Sequence, residues 1–226
     1  MSATATMGEA WELYKRHWRH LLPVAFVVFV LLSLLTLLLA WLMGAFGQIL
    51  GALVTLAGTF WIQGALVVAV DDVRDGRADL TLGETLSRVR PRLNTLALAG
   101  LLAALGIGVG LLLLIVPGLV LATWWLFIVP VIMLEGAGVM DSFGRSRELG
   151  RGHGWSVFAL LLLTLLVQIA GQIVVNLFAV PLRDSIQGYV ASVVATTILA
   201  PYVAAAWTLG YYRLREGRSV AQPAVL

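Results

Sequence analysis

Cysteine is absent from this 226-residue chain, and charged residues make up only 12% of it. The lack of cysteine excludes disulfide bonds, zinc–thiolate sites and thiol nucleophiles together. The shortage of charge excludes an ordinary soluble domain, in which about a quarter of the residues are charged. The net charge is only +3, in short clusters between apolar stretches, so we expect no nucleic-acid partner.

Hydrophobic residues, by contrast, make up 60% of the chain, more than a soluble core can bury. Charge is absent from residues 21–70 and 93–134, and residues 155–212 are interrupted only at Pro181–Asp184. Each stretch is long enough for two transmembrane helices of about 20 residues. Candidate turns inside the first two stretches are Gly44 with Gly47 and the pair Pro117-Gly118. We therefore predict six transmembrane helices in three hairpins.

The distribution of basic residues predicts the orientation of these helices. Fourteen of the fifteen lysines and arginines flank or connect the hairpins on one side, and only Arg183 lies on the other. Cytoplasmic segments carry such an excess, so we expect both termini in the cytoplasm. The apolar run that begins at Leu21 is too long for a cleaved signal peptide. The arginine-rich composition is typical of a GC-rich bacterial genome, so we expect a multi-pass protein of the bacterial inner (plasma) membrane.

Two segments before the hairpins begin alike. Residues 6–9 read Thr-Met-Gly-Glu and residues 81–84 read Thr-Leu-Gly-Glu, and both match the capping box that starts a helix. An apolar stripe of helical spacing follows each, which predicts amphipathic helices in the membrane interface and an internal repeat. The alternative is that any segment beside a membrane is basic and amphipathic. Before the third hairpin the stripe is degenerate, because Ser146 and Gly150 fall on it.

The predicted fold class is an all-α, polytopic membrane bundle of six transmembrane helices with amphipathic interfacial helices. We expect a single integral membrane domain over residues 1–226. Its segments are an interfacial helix at 6–20, hairpin 1 at 21–70, an interfacial helix at 80–92, hairpin 2 at 93–134, an interfacial segment at 139–153, hairpin 3 at 155–212 and a cytoplasmic tail at 213–226.

Polar residues recur at every fourth position of the fifth predicted span. In lipid such side chains are costly, so we expect them to face the bundle, toward the glutamines of span 2. They either form interhelical hydrogen bonds or line a polar cavity for a solute or headgroup, beside a helix that Pro201 kinks. The candidate cavity residues are Gln48, Gln63, Thr164, Gln168, Gln172 and Asn176.

The cluster of Arg145, Arg147 and Arg151 is less balanced by acidic residues than the cluster before it. It either sets topology alone or contacts anionic lipid, at about 1 kcal/mol for each basic residue near a charged surface. Glu135 is expected to form a structural ion pair with Arg145 or Arg147, which would tie the interfacial segment to the bundle.

Chemistry inside the membrane needs ionisable or nucleophilic groups, and the predicted spans contain essentially none. His17 and His20 lie at the interface without an obvious third metal ligand. The Gly106–Gly110 run has no strand before it, so we interpret it as close helix packing, within the monomer or in an oligomer. We therefore predict no catalytic residue, no cofactor-binding residue, no metal site and no enzyme activity.

A resemblance to a known family is carried mainly by residues 115–156. Pro117-Gly118, a tryptophan-rich span ending at Pro130, Glu135, the run Asp141–Leu149 and Trp155 are together similar to a family of bacterial six-helix membrane proteins. That family is labelled as the membrane domain of glycerophosphodiester phosphodiesterases, alongside uncharacterised relatives. The namesake enzymes carry a soluble catalytic domain after the membrane part. Because this chain stops at Leu226, we expect no catalytic residue to carry over.

These observations predict a non-enzymatic integral membrane protein that interacts with lipids or is a membrane partner or scaffold in the cell envelope. Membrane lipids are the expected partners, with a homo-oligomer or another envelope protein as further options. The alternative is a transporter or permease for a small or amphiphilic solute, because repeated hairpins and broken helices are common in transporters. An intramembrane enzyme ranks third.

Overall fold

The computed structural model describes residues 2–74, 76, 78–179 and 186–221, except for the side chains of 176, 178–179, 186–192 and 218–221. Within these residues the protein is helical and has no strand. A 3₁₀ turn (Arg90–Arg92) and a π-helical turn (Val131–Glu135) occur between the α-helices. The helices are α1 (Ala3–Arg74), α2 (Leu82–Val89), α3 (Leu93–Leu113), α4 (Ile115–Trp124), α5 (Ile128–Pro130), α6 (Val139–Gly150), α7 (Gly154–Ala179) and α8 (Ile186–Ala221).

Long apolar helices dominate this fold. Among the described residues, five helical segments have the length and composition needed to cross a membrane. The prediction of an all-α protein with several membrane-compatible helices is therefore confirmed. The segments are Ala3–Arg74, Leu82–Leu113, Ile115–Glu135, Gly154–Val175 and Val193–Gly217.

Helix α1 doubles back at Gly44, where φ is 55° and ψ is −130°. Residues with a Cβ rarely adopt a positive φ, so glycine suits this turn. The two halves of α1, residues 18–43 and 45–74, then run side by side. A Cβ at Gly47 would lie 1.9 Å from the Leu39 carbonyl oxygen, and one at Gly58 would lie 2.4 Å from the Leu32 side chain. The glycines thus permit backbone approach closer than any other residue would allow.

The N-terminal part of α1 is set off by a non-helical residue at His17 (φ −118°, ψ 21°). On the predicted apolar stripe, Met7 and Tyr14 are buried, whereas Trp11 and Trp18 are about half exposed. The predicted capping box at residues 6–9 is wrong. The helix already begins at Ala3, where Thr6 Oγ1 donates to the Ser2 carbonyl (2.9 Å), and Glu9 pairs with α8 instead.

The capping box predicted for residues 81–84 is confirmed at the start of α2. The Thr81 N–H donates to Glu84 Oε2 (2.8 Å), and the Glu84 N–H donates back to Thr81 Oγ1 (3.3 Å). Both bonds satisfy backbone N–H groups that a helix start leaves without partners. The two Thr-x-Gly-Glu segments are therefore alike in sequence but not in local structure.

The turn predicted at Pro117-Gly118 is wrong, because both residues lie inside α4. The chain turns at Leu114, which has extended backbone angles (φ −160°, ψ 141°). Pro117 is tolerated there because the first helical turn has no internal partner for its missing N–H. Gly118 serves close packing instead, since a Cβ at Gly110 would meet the Gly118 Cα at 2.9 Å.

A serine from α6 holds the helix break between α4 and α5. The Ser146 hydroxyl is buried, donates to the Trp124 carbonyl (2.8 Å) and accepts the Phe127 N–H (3.1 Å). A helix end buried without such partners would be costly. Ser146 interrupts the apolar stripe of α6 in the sequence because its hydroxyl is needed by the backbone at the break between α4 and α5.

The core lies toward one end of the bundle, which we call the polar end because α2 and α6 lie there. Fully buried side chains near this end include Leu21, Phe127, Leu149 and Tyr211. At the opposite end, near the turns at Gly44 and Leu114, large apolar side chains are exposed, with Trp41 81% and Leu112 86% accessible. This distribution suits a protein whose outer surface contacts hydrocarbon instead of water.

Candidate functional site

Three of the predicted polar residues line one cavity of about 360 Å³. Gln63 reaches it from the second half of α1, and Gln168 and Gln172 reach it from α7. Thr59 and Thr196 also line it, so α1, α7 and α8 all contribute polar groups. The sequence placed the glutamines of α1 and α7 on facing helices but did not identify the two threonines.

Two other predicted members, Gln48 and Thr164, do not line this cavity. Gln48 is exposed, near the turn at Gly44. Thr164 is buried, donates to the Leu160 carbonyl (3.0 Å) and accepts from Trp207 Nε1 (3.3 Å), so its hydroxyl takes part in packing between α7 and α8. The Asn176 side chain lies outside the described residues.

The polar cavity lies well away from the polar end of the bundle, measured along the helices. Gln63 precedes Asp71 by eight residues, about 12 Å of helical rise, and Gln168 follows Gly154 by fourteen, about 21 Å. Gln63 Oε1 is fully buried and accepts no hydrogen bond from the described residues. Leu165 and Ile169, which also line the cavity, are 41% and 46% exposed, so the cavity opens sideways on the surface of the bundle.

A second, larger cavity of about 650 Å³ forms a groove between α4 and the start of α7. Its walls are almost wholly apolar, with Val116, Leu119 and Val120 on α4 facing Trp155 and Phe158 on α7. Thr123 follows Val116 by seven residues, so the groove follows α4 for about 10 Å.

Two of the predicted lipid-contacting arginines lie at the polar end of this groove. Arg147 and Arg151 line a smaller hollow of about 230 Å³ that shares Trp124 and Gly152 with the groove. The Arg147 guanidinium lies 4.1 Å from the centre of the Trp124 ring, an attractive cation–π geometry. The apolar groove and the basic hollow are therefore continuous.

Arg145 has a different environment from these two arginines. Its Nε donates to Glu135 Oε2 (2.8 Å) and its Nη1 to Glu148 Oε2 (3.2 Å). The hydrogen bond to Glu135 raises the pKa of the Arg145 guanidinium. Tyr211 on α8 also donates to Glu135 Oε1 (2.8 Å). The structure therefore places Arg145 in the ion pair with Glu135, where it links α6 to α8, and away from the groove.

Sequence reasoning missed a set of polar contacts between the ends of α1 and α8. Tyr212 donates to Asp71, and the Arg74 guanidinium lies 3.8 Å from the centre of the Tyr212 ring. Arg213 pairs with Glu9 and donates to Thr6 Oγ1 (2.6 Å). The available signal was the run Tyr211-Tyr212-Arg213 at the end of an apolar stretch. These contacts hold the N-terminal part of α1 against α8.

The described part of the chain offers little for metal chemistry. No group of three or more His, Cys, Asp or Glu residues there could hold a metal ion. His20 Nε2 lies 3.5 Å from Asp72 Oδ2, and Asp72 accepts the Leu80 N–H (3.0 Å). His17 Nδ1 is buried without a partner among the described residues. The described residues instead form two candidate binding surfaces. One is the apolar groove with its basic hollow, and the other is the uncharged polar cavity.

Comparison with known proteins identifies a family but no activity. A family model described as a domain of unknown function, DUF7847, matches residues 29–214. No curated protein and no solved structure is significantly similar to the chain. The match does not bear on the membrane domain of glycerophosphodiester phosphodiesterases, so that resemblance stays a prediction. Because the match covers most of the chain, the protein belongs to the DUF7847 family.

Proposed function

We propose that this member of the DUF7847 family is a non-enzymatic integral membrane protein that holds an anionic lipid in the groove between α4 and α7. The observation that carries the proposal is the continuity of an apolar groove with a hollow that two arginines line. An anionic lipid has the matching shape, with a hydrocarbon chain at one end and a negatively charged headgroup at the other.

The proposal includes six transmembrane helices in a bacterial inner membrane, with both termini cytoplasmic. It is supported by the reversal at Gly44, which divides the longest apolar helix into two halves that each suffice to span a bilayer. The excess of basic residues on one side of the six helices supports the orientation. The resemblance to bacterial six-helix membrane domains, carried by residues 115–156, agrees with it.

Fusions to alkaline phosphatase test this topology, because the enzyme is active only outside the cytoplasm. We expect activity for fusions after Phe46, Pro117 and Asp184, and none for control fusions after Gly76 and Gly152. An inactive fusion at any of the first three positions, with the protein intact on a blot, would contradict the six-helix topology.

The groove suits an acyl chain because its walls match hydrocarbon. Five apolar side chains face each other across it, and its volume lies within the range of about 300–1,000 Å³ typical of ligand pockets. Trp155, at the entrance, is 86% exposed. Tryptophan prefers the headgroup level of a membrane, which places the entrance where a lipid changes from polar to apolar.

The headgroup would lie against Arg147 and Arg151. The planar guanidinium group offers paired N–H donors that match two phosphate oxygens, and it is favoured for phosphate recognition. Stacking on Trp124 holds the Arg147 guanidinium beside the groove. Arg145 is not among the described residues that line the hollow, and its guanidinium binds Glu135 and Glu148.

Native mass spectrometry from nanodiscs of equal phosphatidylglycerol and phosphatidylcholine tests the lipid site. We expect the wild type to retain phosphatidylglycerol and the double variant Arg147→Gln/Arg151→Gln to lose it by about 10-fold or more, at about 1 kcal/mol for each arginine. The variant Leu119→Trp, which fills the groove without changing charge, should lose it as well.

The matched control for charge is Arg88→Gln/Arg90→Gln, which removes two exposed arginines from α2 and the turn after it. It should retain the lipid as the wild type does. Equal loss in this control, or full retention in Leu119→Trp, would show that the lipid is held by general surface charge and not by the groove.

The second candidate function is a transporter or permease for a small or amphiphilic solute. The polar cavity between α1, α7 and α8 favours it, because transporters often bind substrate near the middle of the membrane between helices. Uptake of such a solute into proteoliposomes, abolished by Gln168→Leu, would favour this function over lipid binding alone.

A further inference from the structure

We propose that the polar cavity is a second binding site, independent of the anionic-lipid groove, for an uncharged amphiphile that carries a hydroxyl group. The ligand enters sideways from the lipid, with its hydroxyl among the glutamines and its hydrocarbon part along the apolar wall.

The ligand is uncharged because the residues that line the cavity offer no charge to pair with. The polar groups are the hydroxyls of Thr59 and Thr196 and the amides of Gln63, Gln168 and Gln172. Among the described residues that line the cavity, no side chain is ionisable. A charged ligand would lose its hydration at this depth without an opposite charge to replace it.

The ligand carries a hydrogen-bond donor because the cavity contains an unsatisfied acceptor. Gln63 Oε1 is buried and accepts no hydrogen bond from the described residues. Leaving a buried amide oxygen unpaired destabilises a protein, and a hydroxyl that donates to it removes that cost. The hydroxyl oxygen can in turn accept an N–H of a neighbouring glutamine amide, since each glutamine has both donors and an acceptor.

The cavity opens toward lipid and not toward water. Leu165, Gln168, Ile169 and Gln172, which line it from α7, are all exposed on the surface of the bundle. Their depth along α7, about 21 Å from Gly154 for Gln168, corresponds to the hydrocarbon layer. A ligand that arrives there is dissolved in the membrane, which favours an amphiphile over a water-soluble polyol with the same hydroxyl chemistry.

A second copy of the chain is the competing occupant, since glutamines on lipid-facing helices can bond to an identical helix. The geometry favours a small ligand, because the polar groups line a concave space. Gln63 lies on α1 and its Oε1 is buried, so a flat helix–helix contact on the exposed face of α7 would leave this oxygen unpaired. A small hydroxyl compound can enter that space.

Thermal unfolding in phosphatidylcholine nanodiscs, followed by tryptophan fluorescence, tests the proposal with a matched pair of probes. The probes are 1-dodecanol and its methyl ether, which differ in the hydroxyl hydrogen and one methyl group. We expect the alcohol to raise the Tm by about 3 °C and the ether to leave it unchanged. Glycerol, which offers hydroxyls from the water phase, should also leave it unchanged.

The variant Gln63→Leu should abolish the rise that dodecanol causes, and Thr59→Val should reduce it if Gln63→Leu does not fold. The control is Gln48→Leu, which changes an exposed glutamine of the same helix outside the cavity and should keep the full rise.

An equal rise with the ether, or an undiminished rise in both cavity variants, would overturn the proposal. A rise in Tm with glycerol but not with dodecanol would contradict the proposal that the ligand enters from the lipid. A dimer that Gln168→Leu dissociates would assign this face to a second copy and overturn the ligand site.

Discussion

Replacing Gly47 with alanine is expected to lower the free energy of unfolding by about 3 kcal/mol or more, at the upper end of what overpacking costs. The added Cβ would lie 1.9 Å from the Leu39 carbonyl oxygen and 2.5 Å from its carbon. Both are backbone atoms beside the turn at Gly44, so no side-chain rotation relieves the clash. The two halves of α1 must separate, and unfolding by SDS titration in detergent micelles measures the loss.

Gly108→Ala is the matched control, because it makes the same change in α3 where the added Cβ would meet nothing within 4 Å beyond its own helical turn. Alanine has the higher helix propensity, so this variant should be neutral or more stable by up to about 1 kcal/mol. Equal stability of the two variants would mean that the halves of α1 do not pack as closely as the structure places them.

The second large effect is expected for Glu135→Ala, which should lower the free energy of unfolding by about 2 kcal/mol. The change leaves Arg145 and Tyr211 without their shared acceptor, and removing one partner of a fully buried ion pair costs about 3–5 kcal/mol. The expected loss is smaller because the Glu135 side chain is 20% and the Arg145 side chain 37% exposed to solvent. Membrane insertion should be intact, because Glu135 is the last residue of its span (Ile115–Glu135) and the apolar residues before it are unchanged.

Limited trypsin digestion measures the local part of this effect, because Arg147 and Arg151 lie in or just after α6. Loosening of α6 in Glu135→Ala should speed cleavage at these sites. Glu148→Ala, which removes the more exposed partner of Arg145 (53% accessible), should change stability by less than about 1 kcal/mol and leave cleavage nearly unchanged. Unchanged cleavage in Glu135→Ala would show that the ion pair does not hold the segment.

Predictions from local sequence succeeded where only neighbouring residues were involved. The capping box at Thr81 forms because Thr81 and Glu84 need only each other. The same pattern failed at Thr6 because Arg213, more than two hundred residues away, takes Glu9 as its partner. A capping motif is worth about 1 kcal/mol, so a tertiary ion pair and a longer helix are enough to displace it.

The turn at Pro117-Gly118 failed for a related reason. Proline and glycine together are typical of a turn. Proline is also common in the first turn of a helix, and glycine also occurs where two helices pack closely. Only the position of Gly110, packed against Gly118, distinguishes the two uses. The role of Ser146 could not be predicted either. Its hydroxyl binds the backbone of Trp124 and Phe127, about twenty residues earlier in the chain, and the sequence around residue 146 does not indicate those partners.

The sequence by itself determined the class of this protein: helical, apolar enough for a membrane and poor in reactive groups. That follows from composition, because a chain in lipid must satisfy its backbone internally and a helix does so with local bonds. Only the tertiary structure decided which polar groups act together. It placed Arg145 with Glu135 and left Arg147 and Arg151 beside an apolar groove. It likewise brought Gln63, Gln168 and Gln172 to one cavity and left Gln48 outside. Which of these side chains lie together depends on how the helix surfaces pack, and neither hydropathy nor residue spacing specifies that packing.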